Sequence, residues 1–405
     1  MKRVVILCVW LFSVVAGHAQ LSLDECRRLA RENYPEIRQY DLVHQTEQYN
    51  LSNAARAWIP QIAFSAQATW QTDAPNFPKE LTGMLAQQGL EIPGLRKDQY
   101  KVGLELDQTI WDGGKSVADK RRARAEAAEQ KTMTDVDLYE LEGRVDDLYF
   151  GILLLDERIA QTNLTLNLLR SNLEKVRALQ RNGVAMQSDA DVLEAELLSV
   201  GQQLIQFESS CDSYRRMLGI FIGQKVGDRK LQRPSAVQPL SGESARPELA
   251  MFAAKIDRLT AQEKMVKSSS MPRLGFFAQG YYGYPGLDYM QSMMNSDWSW
   301  NAMLGVKLSW NFGAYYTQKN NLNKLRSSRQ QVEVQRDVFL FNMNLQAAQE
   351  NGDIARLRKA IADDDRIVAL RRSVREAAES KLRNGIIDTH DLLSKITDES
   401  TASMA

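Results

Sequence analysis

The chain has 405 residues, 44% hydrophobic and 25% charged, and its 51 Lys and Arg balance 51 Asp and Glu. A net charge of zero argues against a nucleic-acid binder, which needs a basic face to offset phosphates. Beyond the N-terminus no apolar run approaches the roughly 20 residues of a membrane helix, a test blind to β-barrels, whose signal per strand is weak.

The first element is a leader. Lys2 and Arg3 precede an apolar core from Val4 to Val15, and Gly17-His18-Ala19 offers a small-residue cleavage site, so residues 1–19 read as a secretory signal peptide. Cys8 lies inside the apolar core with no lipobox, and no lipoprotein is expected. Export implies an oxidising periplasm, in which Cys26 and Cys211 either pair or remain two buried thiols.

Ser22 and Glu25 then form a capping box with Leu21 as its staple, opening a helix that Pro35 breaks early and that resumes to about Ala57. From Ile62 to Gln71 and from Tyr100 to Asp107 the apolar period changes to two. A helix of roughly 68 residues, about 100 Å long, follows from Lys115 to Asn182. Its seam runs Leu138, Leu141, Val145, Leu148, Ile152, Leu155, Ile159, Thr162, Leu166, Leu169, Leu173 and Val176 at strict three-four spacing, as in a coiled coil. Gly183 ends it, and Ser188 or Asp189 caps a helix that runs back. Residues 223–245 carry Gly, Pro, Ser and charge without periodicity and read as an equatorial linker. Two further strands centre on 274–282 and 300–310, and a second long helix runs from about Ala314 to Asn384, weakened at Gly352.

These elements form two copies of one unit. Tyr34-Pro35-Glu36-Ile37 returns as Arg246-Pro247-Glu248-Leu249, and Pro60 as Pro272, at an offset of 212. Later Gly103 maps onto Gly305, Arg181-Asn182-Gly183 onto Arg383-Asn384-Gly385 and Asp189 onto Asp391, at an offset of 202. The first repeat spans 20–222 and the second 246–405. The last helix of the second holds about 17 residues against about 30 in the first, and is expected to be truncated.

Each strand is about ten residues, enough to cross a bilayer when tilted. Five of the seven Trp residues (Trp70, Trp111, Trp298, Trp300, Trp310) lie in or beside the strands, where interfacial girdles belong. Four strands cannot close a barrel and lipid tolerates no open edge, so several protomers must pool them. No enzyme chemistry is legible. His44 and His390 lack partners at ligand spacing, and phosphate loops, nucleophile elbows and zinc-protease helices are absent. Neither cofactor nor metal is expected. A non-channel periplasmic coiled-coil adaptor or scaffold is the alternative, but it leaves the four strands unexplained.

The opening Leu21-Ser22-Leu23-Asp24-Glu25 to Asn33-Tyr34-Pro35-Glu36, Trp58-Ile59-Pro60 before strand one and Trp111-Asp112-Gly113-Gly114 after strand two are a set. With Arg-Asn-Gly plus five residues plus Asp at both hairpin tips, the sequence resembles the TolC-like outer-membrane efflux protein family over nearly the whole mature chain. The resemblance implies a mainly α protein with membrane β: long helical hairpins forming a periplasmic α-barrel, and four transmembrane strands per protomer in a 12-stranded barrel. It implies a homotrimer in outer-membrane lipid, working with a periplasmic adaptor and an inner-membrane pump or secretion ATPase. Neither the substrate nor the pump class is legible. In the family the Asp six residues after the second tip Gly lines the constricted entrance. That position is Asp391 here, with Asp388 three residues before it as a weaker candidate, while Ser394 holds the place of a frequent second Asp. Arg181, Asn182, Gly183 and Val184 at one tip, and Arg383, Asn384, Gly385 and Ile386 at the other, are expected to dock the adaptor.

Overall fold

The computed structural model describes residues 20–90, 92–235 and 246–404. The expected signal peptide and positions 236–245 of the expected linker lie outside the described residues. No helix among them is long and apolar enough to cross a membrane.

Ser22 caps α1 (Leu23–Asn33), its hydroxyl accepting from the Glu25 N–H at 3.2 Å. Tyr34 is extended ahead of Pro35, which ends the helix, and one 3₁₀ turn leads into α2 (Gln39–Arg56). Next come β1 (Gln61–Trp70), α3 (Lys79–Gln87), β2 (Asp98–Trp111), α4 (Lys115–Arg181) and α5 (Gln187–Ile222). The order then runs α6 (Pro247–Ser268), β3 (Arg273–Tyr284), α7 (Tyr289–Met294), β4 (Ser299–Ser309), α8 (Gly313–Arg383) and α9 (Thr389–Met404). The short helices α3 and α7 sit in the connections from β1 to β2 and from β3 to β4, and their six to nine residues are too few for a period to show in the sequence. Helix α8 passes through Gly352 unbroken, since one glycine costs only about 1 kcal/mol in so long a helix.

The chain divides into two compact units. One takes the described parts of Met1–Gln39, Thr134–Pro247 and Asp337–Ala405. Its core is the predicted seam, buried throughout except for the half-buried Leu155 and Ile159. Leu166, Leu169, Leu173 and Val176 pack with Leu193 and Val200 of α5, Ala378 of α8, and Leu392 and Ile396 of α9. Thr162, the one polar seam residue, is satisfied by donating from Oγ1 to the Arg158 carbonyl at 2.7 Å. Cys26 and Cys211 are both free and buried, and burial, then the Glu25 carboxylate, pushes the Cys26 thiol up to about 12. The Tyr149 hydroxyl lies 2.7 Å from the Leu21 carbonyl and 2.6 Å from that of Gln232, and Leu21 bridges Leu231 in parallel. The described part of the linker is thereby tied to the start of α1.

The other unit takes Tyr40–Met133 and Glu248–Arg336 and holds the sheet. The strand order is β1-β2-β3-β4, antiparallel throughout, so β1 and β4 are its edges. Helices supporting it are tied by ion pairs: Lys131 of α4 with Glu47 of α2 (3.4 Å), Arg258 of α6 with Glu129 of α4, and Arg329 of α8 with Glu263 of α6 (3.3 Å).

Candidate functional site: a two-faced sheet and two hairpin tips

Direct cross-strand partners share a face, so the register turns four separate alternations into two surfaces. Ile62 pairs with Leu106, Phe64 with Leu104 and Ala66 with Val102; Leu106 continues to Ala278 and Leu304, and Val102 to Tyr282 and Trp300. This face is apolar and uncovered, with Phe64 71% and Trp300 82% exposed. The opposite face carries Gln61–Asp107–Phe277–Gly305, Ala63–Glu105–Gln279–Met303 and Gln67–Lys101–Gly283–Ser299. There the Gln279 amide donates to Glu105 at 2.8 Å, and the Lys101 ammonium sits 4.4 Å from the Tyr281 ring centre.

Aromatic side chains cluster at both ends of the apolar face. At the loop end, Trp298 stacks on Tyr100 at 5.7 Å, and Tyr282 lies 5.4 Å from Trp298 and 5.1 Å from Trp300. At the helix end, Trp310 meets Phe312 at 4.7 Å and donates from Nε1 to the Ser270 carbonyl at 3.0 Å. From Trp300 to Trp310 is about 33 Å of strand, or about 25 Å of height at a tilt near 40°, the depth of an outer-membrane apolar band. The two loops at the far end are joined through Tyr284, whose hydroxyl accepts from the Arg96 N–H (2.9 Å) and donates to the Ser292 carbonyl (3.1 Å).

Trp111-Asp112-Gly113-Gly114 converts strand to helix. Asp112 is buried and accepts from the Gly114 N–H (2.9 Å), the Ser116 N–H (2.7 Å) and the Ser116 hydroxyl. Burial pushes its carboxyl up, but these donors outweigh burial and hold it below the usual carboxylate range. Gly113 has φ 69°, and a Cβ there would lie 2.5 Å from the Met271 Cβ.

Both tips close alike. At the first, Gly183 (φ 74°) donates to the Gln180 carbonyl at 2.9 Å and Val184 to that of Leu179 at 2.9 Å. At the second, Gly385 (φ 68°) donates to Leu382 at 3.0 Å and Ile386 to Lys381 at 3.0 Å. This is the Schellman arrangement, whose final residue usually turns inward to an apolar contact. Here Val184 and Ile386 are 69% and 68% exposed, as is Met186 beside them at 74%.

Residues 27–223 match the family model described as outer membrane efflux protein. Over that stretch, just under half of its length, the chain is similar to that family. Its fold is that of VceC from Vibrio cholerae, at a TM-score of 0.71 and 13% identity, covering 94% of this chain and 90% of that one. It is equally similar to CusC (0.71, 14%, 95% and 88%), and also to CmeC from Campylobacter jejuni (0.64, 15%, 94% and 81%). At such identities the likeness is one of fold. No curated protein matches the sequence.

Arg181, Asn182, Gly183 and Val184 lie where α4 ends, Arg383, Asn384, Gly385 and Ile386 where α8 ends, and the packing of α5 on α9 brings the two hairpins together. Asp388 and Asp391 are exposed at the start of α9. Asp388 does not belong to that helix, as a shared face with Asp391 would require: it is the residue before Thr389, and its side chain accepts from the Asp391 N–H at 2.8 Å. In the first copy the cap is Met186 rather than Ser188 or Asp189, and Asp189 reaches back to the Met186 N–H at 2.8 Å. Sequence reading missed the network behind the second tip, where the largely buried Arg375 of α8 meets Glu379 at 2.6 Å and Glu399 of α9, and Arg371 meets Asp398 at 2.7 Å. Only the four-residue spacing of Arg375 and Glu379 was visible beforehand. Among the described residues no group of three His, Cys, Asp or Glu side chains could hold a metal ion.

Proposed function

We propose that three copies of this chain form an outer-membrane channel-tunnel, a passive conduit for efflux or type I secretion coupled to a periplasmic adaptor and an inner-membrane pump. The carrying observation is the sheet: an uncovered apolar face with aromatic ends, a polar opposite face, and two open edges. In lipid such edges must be paired, and only further copies of the chain supply strands. Helix α8 points the same way, because Val334, Val338, Phe341 and Leu345, then Leu357 and Ile361, then Ile367, Leu370 and Val374 keep three-four spacing yet are all exposed. Three copies would give twelve strands, as the family resemblance implies, with the polar face lining the lumen. The tips at Val184 and Ile386 dock the adaptor, and Asp391 gathers three carboxylates in a cation-favouring periplasmic entrance.

Purified full-length protein in planar bilayers should give discrete conductance steps. A protein that stays in the soluble periplasmic fraction and gives no steps would instead support the scaffold reading, which also uses long hairpins.

A further inference from the structure

The polar face of the sheet ends, on its helix side, in a recess of about 320 Å³ lined by Arg273, Lys307, Lys115, Asp107 and Phe277, among others. Arg273 pairs with Ser309 and Gly275 with Lys307, so the two cations are diagonal neighbours on one face, with Cβ atoms about 7 Å apart. Gly275 lies beside both and puts no side chain between them. Three acids also line the recess, but two of them have other partners. Asp112 is occupied by Gly114 and Ser116, and Asp119 lies 3.9 Å from Arg122. Among the described residues the side chains of Arg273, Lys307 and Lys115 make no ion pair or hydrogen bond, and Asp107 is the one lining carboxylate left to face them. Phe277 adds an apolar wall: its ring covers Gly305, where a Cβ would lie 2.9 Å from the ring edge.

Like charges side by side on a sheet repel and are unfavourable unless an anion visits them. On the channel reading this recess faces the lumen where barrel meets tunnel, and we infer that it is a transit subsite for organic anions. The acidic group is held by Arg273 and Lys307, and the ring or apolar body rests on Phe277.

The test uses the full-length oligomer in planar bilayers with naphthalenetrisulfonate added on the loop side. Block of the wild-type current is expected, weakened about tenfold or more in Arg273→Gln/Lys307→Gln, as loss of charge-assisted contacts predicts. Asp107→Asn, which removes the competing carboxylate, should strengthen the block. Arg273→Lys/Lys307→Arg should retain it, and conductance steps from each variant establish that it has folded. Inorganic sulfate should block far more weakly, and equal block by sulfate would overturn the organic class. Block unchanged in the Gln double variant would overturn the subsite while leaving the channel intact. Absence of steps from the wild type would overturn the channel reading itself, and the subsite with it.

Discussion

Asp388 accepts the Asp391 N–H, so the cap of α9 belongs to Asp388 and leaves the Asp391 carboxylate exposed and uncommitted among the described residues. The two substitutions should therefore separate. Asp388→Ala should cost about 1 kcal/mol of helix stability, seen as faster hydrogen exchange over the first turn of α9. Asp391→Asn should leave exchange unchanged and reduce the preference of the pore for cations, measured as reversal potential in a salt gradient. An unchanged reversal potential would remove Asp391 from the entrance. Asp112 gives the clearest dependence on acidity. Its folded carboxyl titrates below the unfolded value near 4, so its stabilisation is present above that value and is lost as pH falls through the folded one. Asp112→Ala should cost about 1–2 kcal/mol at neutral pH and progressively less in acid, as pH falls through the folded value, measured by urea denaturation. Equal costs at neutral and acid pH would mean that the carboxylate hydrogen bonds carry none of that stability.

On the scale of elements, Leu104 and Val306 sit mid-strand on the apolar face, and Arg at either should cost about 2–4 kcal/mol if they meet lipid near the midplane. Heat-modifiable oligomer in the outer-membrane fraction should fall for both variants; normal yield would place that face elsewhere than in lipid. Val184→Asp and Ile386→Asp should leave the oligomer intact and reduce in vivo crosslinking to the adaptor, since the exposed apolar tip is the proposed contact. Much of this architecture was legible because its punctuation is local. Pro35 ends its helix by its own ring, Gly183 and Gly385 end theirs in the left-handed region, and twelve seam positions leave little ambiguity of period. Strand alternation was legible too, but not that Tyr282 faces Trp300 or that Gln279 reaches Glu105, since pairing is a tertiary fact. The cap at the first tip was misplaced because Ser188 and Asp189 follow the extended Met186 directly, and residue type alone cannot say which residue is extended. The cationic recess was invisible, because Arg273, Lys307 and Lys115 are scattered in sequence and meet only through the register of β3 on β4 and the turn after β2.

For the whole molecule the central claim is closure by further copies, and it rests on β1 and β4 being unpaired. Within one chain these edges are three strand spacings apart, about 14 Å, well beyond the 4.4–6.8 Å between Cα atoms that a disulfide spans. A bond between β1 and β4 must therefore join two chains. Cys26 and Cys211 are buried and should not compete. The direct measurement is oxidation in intact cells of a variant with Cys at Ser65 of β1, paired in turn with Cys at Asn301, Met303, Gly305 or Lys307 of β4, followed by non-reducing electrophoresis. At least one pairing should yield a ladder that stops at three chains. Monomer at every pairing, with both thiols still reactive, would contradict closure of the barrel by copies of this chain.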